Sequence, residues 1–316
     1  MRITVRESLI SKMSRKLCDC WALPVLCCIL VLGVPVCSSP QFPSARMRRA
    51  SSQVTYEVDT LVVVDREFYT KWVSSHGGLT LSTESDIKEY VSLMVRQANV
   101  RLSNLQDRLN YNVAINVVAF QINVNVLAGI QPNIVTRSVS AEDALNSFFV
   151  WVSGNSLSGT YDHFILLTGF QLRDEYESHQ LVSGRAYVGT LCNPSGRSLS
   201  VVHDLGGLQG AHTMAHELAH CLGSFHDGEA SRNSCSKENR YIMAADDTAP
   251  RTPANQDHPW YFSTCSASAI DDFLHDIVLA AGGNDCLAQT SGPAPEFAAT
   301  LTTVPGQRYV AHTQCQ

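Results

Sequence analysis

The chain has 316 residues, 45% of them hydrophobic, enough to bury a substantial core as one large domain or two unequal ones. Its formal charge of −6 hides an asymmetry. Residues 1–49 carry eight Lys or Arg and two acidic side chains, which leaves 15 basic and 27 acidic residues in the remainder, a balance of −12 that argues against nucleic acid or anionic membrane as a partner.

Arg2, Arg6, Lys12, Arg15 and Lys16 precede the apolar run Trp21 to Val36, and the small residues Ser38 and Ser39 follow. That order predicts a secretory signal over 1–39, with Met13 as an alternative start. A signal anchor is the competing reading, although the apolar run is short for a bilayer. After residue 40 no run approaches eighteen uninterrupted apolar residues, so no stable membrane insertion is expected once the signal is removed. Export permits disulfides, and the six later cysteines (Cys192, Cys221, Cys235, Cys265, Cys286, Cys315) read more naturally as bridges than as thiols. Residues 40–53 form a short pro or linker segment in which Arg46-Met-Arg-Arg49 is either a basic processing site or a solvated linker. Asn193-Pro-Ser195 is no glycosylation acceptor, because its proline blocks it.

A domain is expected over 54–286. Thr60 to Val64 is a β-branched run typical of a buried strand. From Ile87 to Leu109 apolar residues recur at helical spacing, with Thr83-Glu-Ser-Asp86 able to cap the start. Val113 to Val118 reads as a strand, and Ser140-Ala-Glu-Asp143 opens a second helix carrying Leu145, Phe148, Phe149 and Val152. Phe164–Leu167, Ala186–Val188 and Leu199–Val202 are further strands. A helix follows through His212 to His220. Ser268-Ala-Ile-Asp271 then caps a last helix, stopped by Gly282-Gly283. Strands alternating with helices imply an α/β fold with a mostly parallel sheet and helices on its faces. Residues 287–309 have a linker's composition, and there is no internal repeat.

The stretch His212-Thr-Met-Ala-His-Glu-Leu-Ala-His-Cys-Leu-Gly-Ser-Phe-His-Asp-Gly228 carries the chemistry. His216 and His220 are four apart, so on a helix they share one face about 6 Å apart along the axis and can converge on an ion that needs Zn–N of about 2.1 Å. On a continuing helix His226 would lie about 15 Å beyond His216 and about 280° around. Gly223 removes that obstacle, because a glycine can adopt positive φ and turn the chain back toward the ion. His212 lies about 12 Å along the axis from His220 and is read as a helix-start or core residue. Three protein ligands leave a fourth position open, the arrangement of a catalytic zinc that activates a bound water. Glu217, about 100° around the helix from His216, stands beside that water as general base.

His-Glu-x-x-His-x-x-Gly-x-x-His resembles the signature of the metzincin zinc endopeptidases. Asp227 after the third histidine is similar to the adamalysin (reprolysin) branch. Tyr241-Ile-Met-Ala244 resembles its Met-turn, which places Met243 beneath the zinc. The similarity covers roughly 54–286, through Val58–Asp65, Tyr161–Thr168, Ala186–Cys192 and Phe262–Ser266. It implies a metzincin-like catalytic domain: a twisted five-stranded sheet with one antiparallel edge strand, helices on its faces and a small irregular C-terminal subdomain. The resemblance also implies disulfides Cys192–Cys286 and Cys235–Cys265. A calcium site is implied at Asp59, Asp162 and the Cys286 carbonyl, although Gln289 stands where the branch has asparagine. It further implies a secreted, extracellular endopeptidase acting on matrix or plasma proteins such as fibrinogen. Substrate would lie along the edge strand near Ala186–Leu191, with residues 244–262 walling the pocket beyond the scissile bond. Cys37 is too close to the signal to serve as the zinc-blocking cysteine of the branch's pro-domain. Thr303 to Cys315 looks like the opening of a cysteine-rich module of the kind found in thrombospondin-type relatives and salivary reprolysins of blood-feeding arthropods. Residues 287–316 are accordingly read as linker and the start of that module, and the chain as a compact variant or a truncated one. A catalytically silent binding protein of the same fold, engaging matrix or receptors, is the alternative; its sign would be a damaged ligand set or a lost glutamate.

Overall fold

The computed structural model describes residues 54–298, apart from 76, 79, 134, 176–179, 194, 230–232, 247, 279–285 and 289. The signal, the basic run at 46–49, Cys37, Gly282-Gly283, Gln289 and the segment from Thr303 to Cys315 lie outside the described residues. Strand β1 (Val54–Asp65) is buried on both faces from Val58 onward, as its β-branched run requires. β2 (Tyr111–Val124) and β4 (His163–Thr168) pair with it in parallel on either side. β8 (Leu199–His203) continues beyond β4, and β7 (Gly184–Ala186) closes the edge antiparallel to β8, giving the order β2-β1-β4-β8-β7. This is the five-stranded, mostly parallel sheet with one antiparallel edge. A small second sheet of β3 (Ser138–Ser140), β5 (Gln171–Arg173) and β6 (Leu181–Val182) has no counterpart in the sequence reading.

Both faces are covered. On one, α1 (Arg66–Ser75), α2 (Thr80–Ser103), α4 (Gly210–Cys221) and α5 (Thr264–Phe273) pack Phe68, Met94, Leu218 and Ile270 against Val58, Val62 and Val64. On the other, α3 (Ala141–Gly154) lays Leu145, Phe148 and Val152 against Leu61, Val63 and Leu166. The alternation of Leu61 and Val63 with Val62 and Val64 is the period of two that sends successive side chains to opposite faces. Ser140 caps α3 as expected, its Oγ accepting from Asp143 N at 3.2 Å.

Four boundaries differ from expectation. α2 starts at Thr80, so Thr83 is an interior, fully buried residue and not a cap. α5 is capped by Ser263, whose Oγ accepts from Ser266 N at 3.1 Å, with Ser268 inside the helix; a single π-helical turn, Leu274–Val278, continues it. The edge strand is Gly184–Ala186, not Ala186–Val188. The fourth concerns the segment read as linker. Ala294 N donates to Val117 O at 2.8 Å, and Phe297 in α6 (Pro295–Ala298) is 2% exposed, its ring 5.2 Å from that of Phe120. Composition rich in Ser, Pro and Ala conceals one aromatic anchor, and a buried phenylalanine suffices to dock a short segment.

Candidate metal centre

α4 follows β8 directly and lies on the sheet by its apolar face: Ala211, Met214, Ala215, Leu218 and Ala219 are all fully buried. That leaves His216 and His220 on one side. The helix ends where Gly223 takes φ +89°. Gly223 N donates to His220 O and Ser224 N to Ala219 O, both at 2.9 Å, the paired bonds of a Schellman end. The chain doubles back and His226 arrives opposite the helix. Its Nε2 lies 3.1 Å from the Nε2 of His216 and 3.1 Å from that of His220. No other group of three or more His, Cys, Asp or Glu side chains among the described residues is arranged to hold a metal ion. His212 is not a member; its ring centroid is 6.4 Å from that of His216.

The protons decide what these nitrogens are. His216 Nδ1 donates to Ile242 O and His220 Nδ1 donates to Ser224 O, each at 2.7 Å. A neutral imidazole has one N–H, so both Nε2 atoms are bare lone pairs pointed at a third ring. Burial, then the charges of His220 and His226, hold His216 well below the usual histidine range. Burial, then His226, brings His220 to about 3. Close-set, neutral nitrogen lone pairs repel unless a cation lies among them, so the donor set fits a metal of zinc's kind.

Glu217 is 4% exposed. Burial pushes its carboxyl up to about 8, partly opposed by the positive charge of Arg185. The carboxylate lies close under the backbone of the edge strand at Gly184. Met243 is fully buried and its carbonyl accepts from Asp227 N at 2.8 Å. Asp227 is 1% exposed, and its Oδ1 accepts from Asn233 Nδ2 (2.8 Å), Ser263 Oγ (2.7 Å) and Ser266 Oγ (3.1 Å). It therefore ties the return strand of His226 to the start of α5. The segment after the edge strand closes the same C-terminal end of α4: Gly189 N donates to His220 O at 2.9 Å, Thr190 N and Leu191 N to Cys221 O at 2.9 and 3.0 Å. These three amides are spent on the end of the helix and do not face an added strand. Among the described residues the disulfides are Cys192–Cys286 and Cys235–Cys265, and Cys221 is a buried free thiol.

The matching family model spans residues 54–257 and describes the reprolysin type of metallo-peptidase family M12. The chain belongs to that family. Its described sheet and helices are the α/β architecture read from the sequence. Similar family members include mouse (Mus musculus) "A disintegrin and metalloproteinase with thrombospondin motifs 16", 31% identical over 87% of this chain and 20% of that protein, and human (Homo sapiens) "A disintegrin and metalloproteinase with thrombospondin motifs 4", 32% identical over 87% of this chain and 30% of that one. The chain thus spans about a fifth to a third of the length of these relatives. Among solved structures, an archaemetzincin from Methanopyrus kandleri covers 69% of this chain and 96% of its own at 14% identity and a TM-score of 0.41.

The Asp59–Asp162 pair forms a second polar centre. Asp59 N donates to Asp162 Oδ2 at 2.8 Å and Asp162 N to Asp59 O at 2.7 Å. Asn116 Nδ2 donates to Asp59 Oδ1 at 2.7 Å, and Ser291 N to Asp59 Oδ2 at 2.6 Å. Missed in the sequence were Gly184, the three donors to Asp227 and the carbonyls of Ile242 and Ser224. Ser224 lies four residues from His220 and Asn233 six from Asp227; the others come from distant segments, and nothing in local spacing marks them. Two surface cavities are lined by none of the three histidines.

Proposed function

We propose that this chain is a secreted, zinc-dependent endopeptidase that hydrolyses peptide bonds in extracellular proteins, with His216, His220 and His226 as metal ligands and Glu217 as general base. One observation carries the reading: three Nε2 atoms, two of them with their ring protons committed elsewhere, converge on one point. Zinc bound there would polarise a water and a substrate carbonyl. Glu217 would hold the proton in transit between the attacking water and the departing amine; a carboxyl raised by burial is suited to both halves of that transfer. Ile242 O and Ser224 O hold the ligand rings in one tautomer. Met243 supports the centre from below, and Asp227 fixes the return of His226. An extended peptide adds to the sheet along β7, whose outer side no other described strand pairs.

Secretion is supported by the basic-then-apolar N-terminal order and by the two disulfides. Among the described residues no helix is long and apolar enough to cross a membrane. Matrix and plasma proteins such as fibrinogen are the substrate class. We read 54–298 as the folded catalytic unit, extending the boundary past 286 on the packing of Phe297.

For Asp59 and Asp162 we prefer a structural tie to a calcium site. The pair offers two hard-oxygen side chains, but both Asp59 oxygens already accept hydrogen bonds that join β1, β2 and the segment at Ser291. A rise in thermal midpoint when calcium is added to zinc-loaded protein would overturn this.

The test is a quenched-peptide digest of the zinc-loaded protein, with and without a chelator, beside Glu217→Ala. The expected result is chelator-sensitive cleavage, and a Glu217→Ala protein that keeps one zinc but loses about 10²–10⁴ in rate. Zinc bound without cleavage would establish the silent binding protein instead.

A further inference from the structure

Gly184 needs no special backbone: unlike Gly189, Gly223 and Gly228 it does not sit at positive φ. It lies in β7, paired with Val202 of β8, where any residue could be accommodated as far as the main chain is concerned. What it lacks is room. A Cβ built at 184 would stand 2.5 Å from Glu217 Oε1, 2.8 Å from Glu217 Cγ and 2.7 Å from Thr213 Cγ2. All three separations are inside van der Waals contact.

We propose that Gly184 is the positioning residue for the Glu217 carboxylate: the bare edge strand forms the wall against which that carboxylate is seated, so a side chain here switches off the base without dismantling the metal centre. The proposal rests on the reading of Glu217 as base. The reasoning turns on what can yield to an added methyl group. β7 is held in register by β8, and α4 is held against the sheet by its fully buried apolar face. Thr213 is β-branched and stiff at χ1 within a helix. The end of the Glu217 side chain is the softest of the atoms in the way, with two further torsions free to rotate. The methyl is therefore accommodated by moving the Glu217 side chain from Cγ outward, together with a shift of Thr213 Cγ2. That displacement starts from atoms none of which belongs to a ligand histidine. It is costly for proton transfer, where a displacement of about 1 Å lowers the rate about 10²-fold.

The experiment compares zinc-loaded parent and Gly184→Ala. Expected are one zinc per chain in both, a KM for an extended peptide within about twofold, and a kcat lowered about 10²-fold. Acetohydroxamate, whose hydroxyl proton the Glu217 carboxylate would accept, should bind the variant about tenfold more weakly. In a Glu217→Gln background the same Gly184→Ala change should leave hydroxamate binding where it was. If Gly184→Ala does not fold, Gly184→Ala with Thr213→Ser removes the Cγ2 obstacle and is measured in the same way, with Thr213→Ser alone as its control. A kcat equal to the parent's overturns the proposal. So does loss of zinc in step with kcat, or an equal loss of hydroxamate binding with and without Glu217. A parent that holds zinc and cleaves nothing removes the proteolytic reading itself, a result distinguishable from all of these.

Discussion

His216 and His226 are ten residues apart in the chain, and their Nε2 atoms are 3.1 Å apart in space. A continuous helix would put about 15 Å between them along its axis. Gly223 makes the difference: at φ +89° it ends α4, and its N–H and that of Ser224 take up the last helical carbonyls. A Cβ there would also meet Phe273 Cβ at 3.0 Å. Backbone strain and crowding act together at one position.

Gly223→Ala should therefore weaken zinc binding and destabilise the fold. Left-handed φ costs an L-residue about 1–2 kcal/mol, and contact with Phe273 adds to it. Zinc competition with a chromogenic chelator and a thermal melt read the two effects. An Ala variant with the parent's affinity and midpoint would show that the reversal does not depend on glycine.

Asp227→Ala should lower stability by about 2–5 kcal/mol, because Asn233, Ser263 and Ser266 lose a shared buried acceptor. The return of His226 loses its anchor to α5 at the same time, so zinc should dissociate faster. Urea midpoints measure the first effect and zinc off-rates the second. A variant unchanged in both would make the network incidental.

Stability should fall as pH drops below about 6.5. His163 is fully buried between Ser198 and Ser200, with ring-to-hydroxyl distances of 3.1 Å, and burial lowers it to about 3. The sign follows from proton counting. Between pH 3 and 6.5 the unfolded chain protonates this histidine while the folded one does not, so protons favour unfolding across that window. The full shift is worth on the order of 5 kcal/mol. His203, lowered by burial and then by Lys71, acts in the same direction. Urea titrations at pH 7, 5.5 and 4.5 on parent and His163→Asn should show a shallower pH slope in the variant; parallel slopes would exonerate His163.

Phe297→Ala should cost about 3–5 kcal/mol, as for other buried aromatic truncations. A chain ending at 286 should be destabilised similarly. If either melts with the parent, residues 287–298 are linker after all.

How much was legible in the sequence depended on reach. The strand at Thr60–Val64, the helix capped by Ser140 and the three convergent histidines were all readable, because each is a local pattern whose period or spacing has one geometric outcome. The start of α2 was not, since Thr83 has the composition of a cap yet lies one turn inside the helix. The Ser263 cap was missed for a related reason: Ser263 and Ser268 are equivalent as sequence, and what distinguishes Ser263 is Asp227, 2.7 Å from its hydroxyl and 36 residues away.

The chain by itself determined that an ion could be gripped here, since helical pitch and one glycine suffice to bring three imidazoles together. Only the tertiary structure decided how the base is seated, which carbonyls hold the ring protons, and where the folded unit ends. Apart from the Ser224 carbonyl, four residues from His220, those depend on groups brought together from more than twenty residues apart, and through-space contact leaves no periodic trace in the sequence.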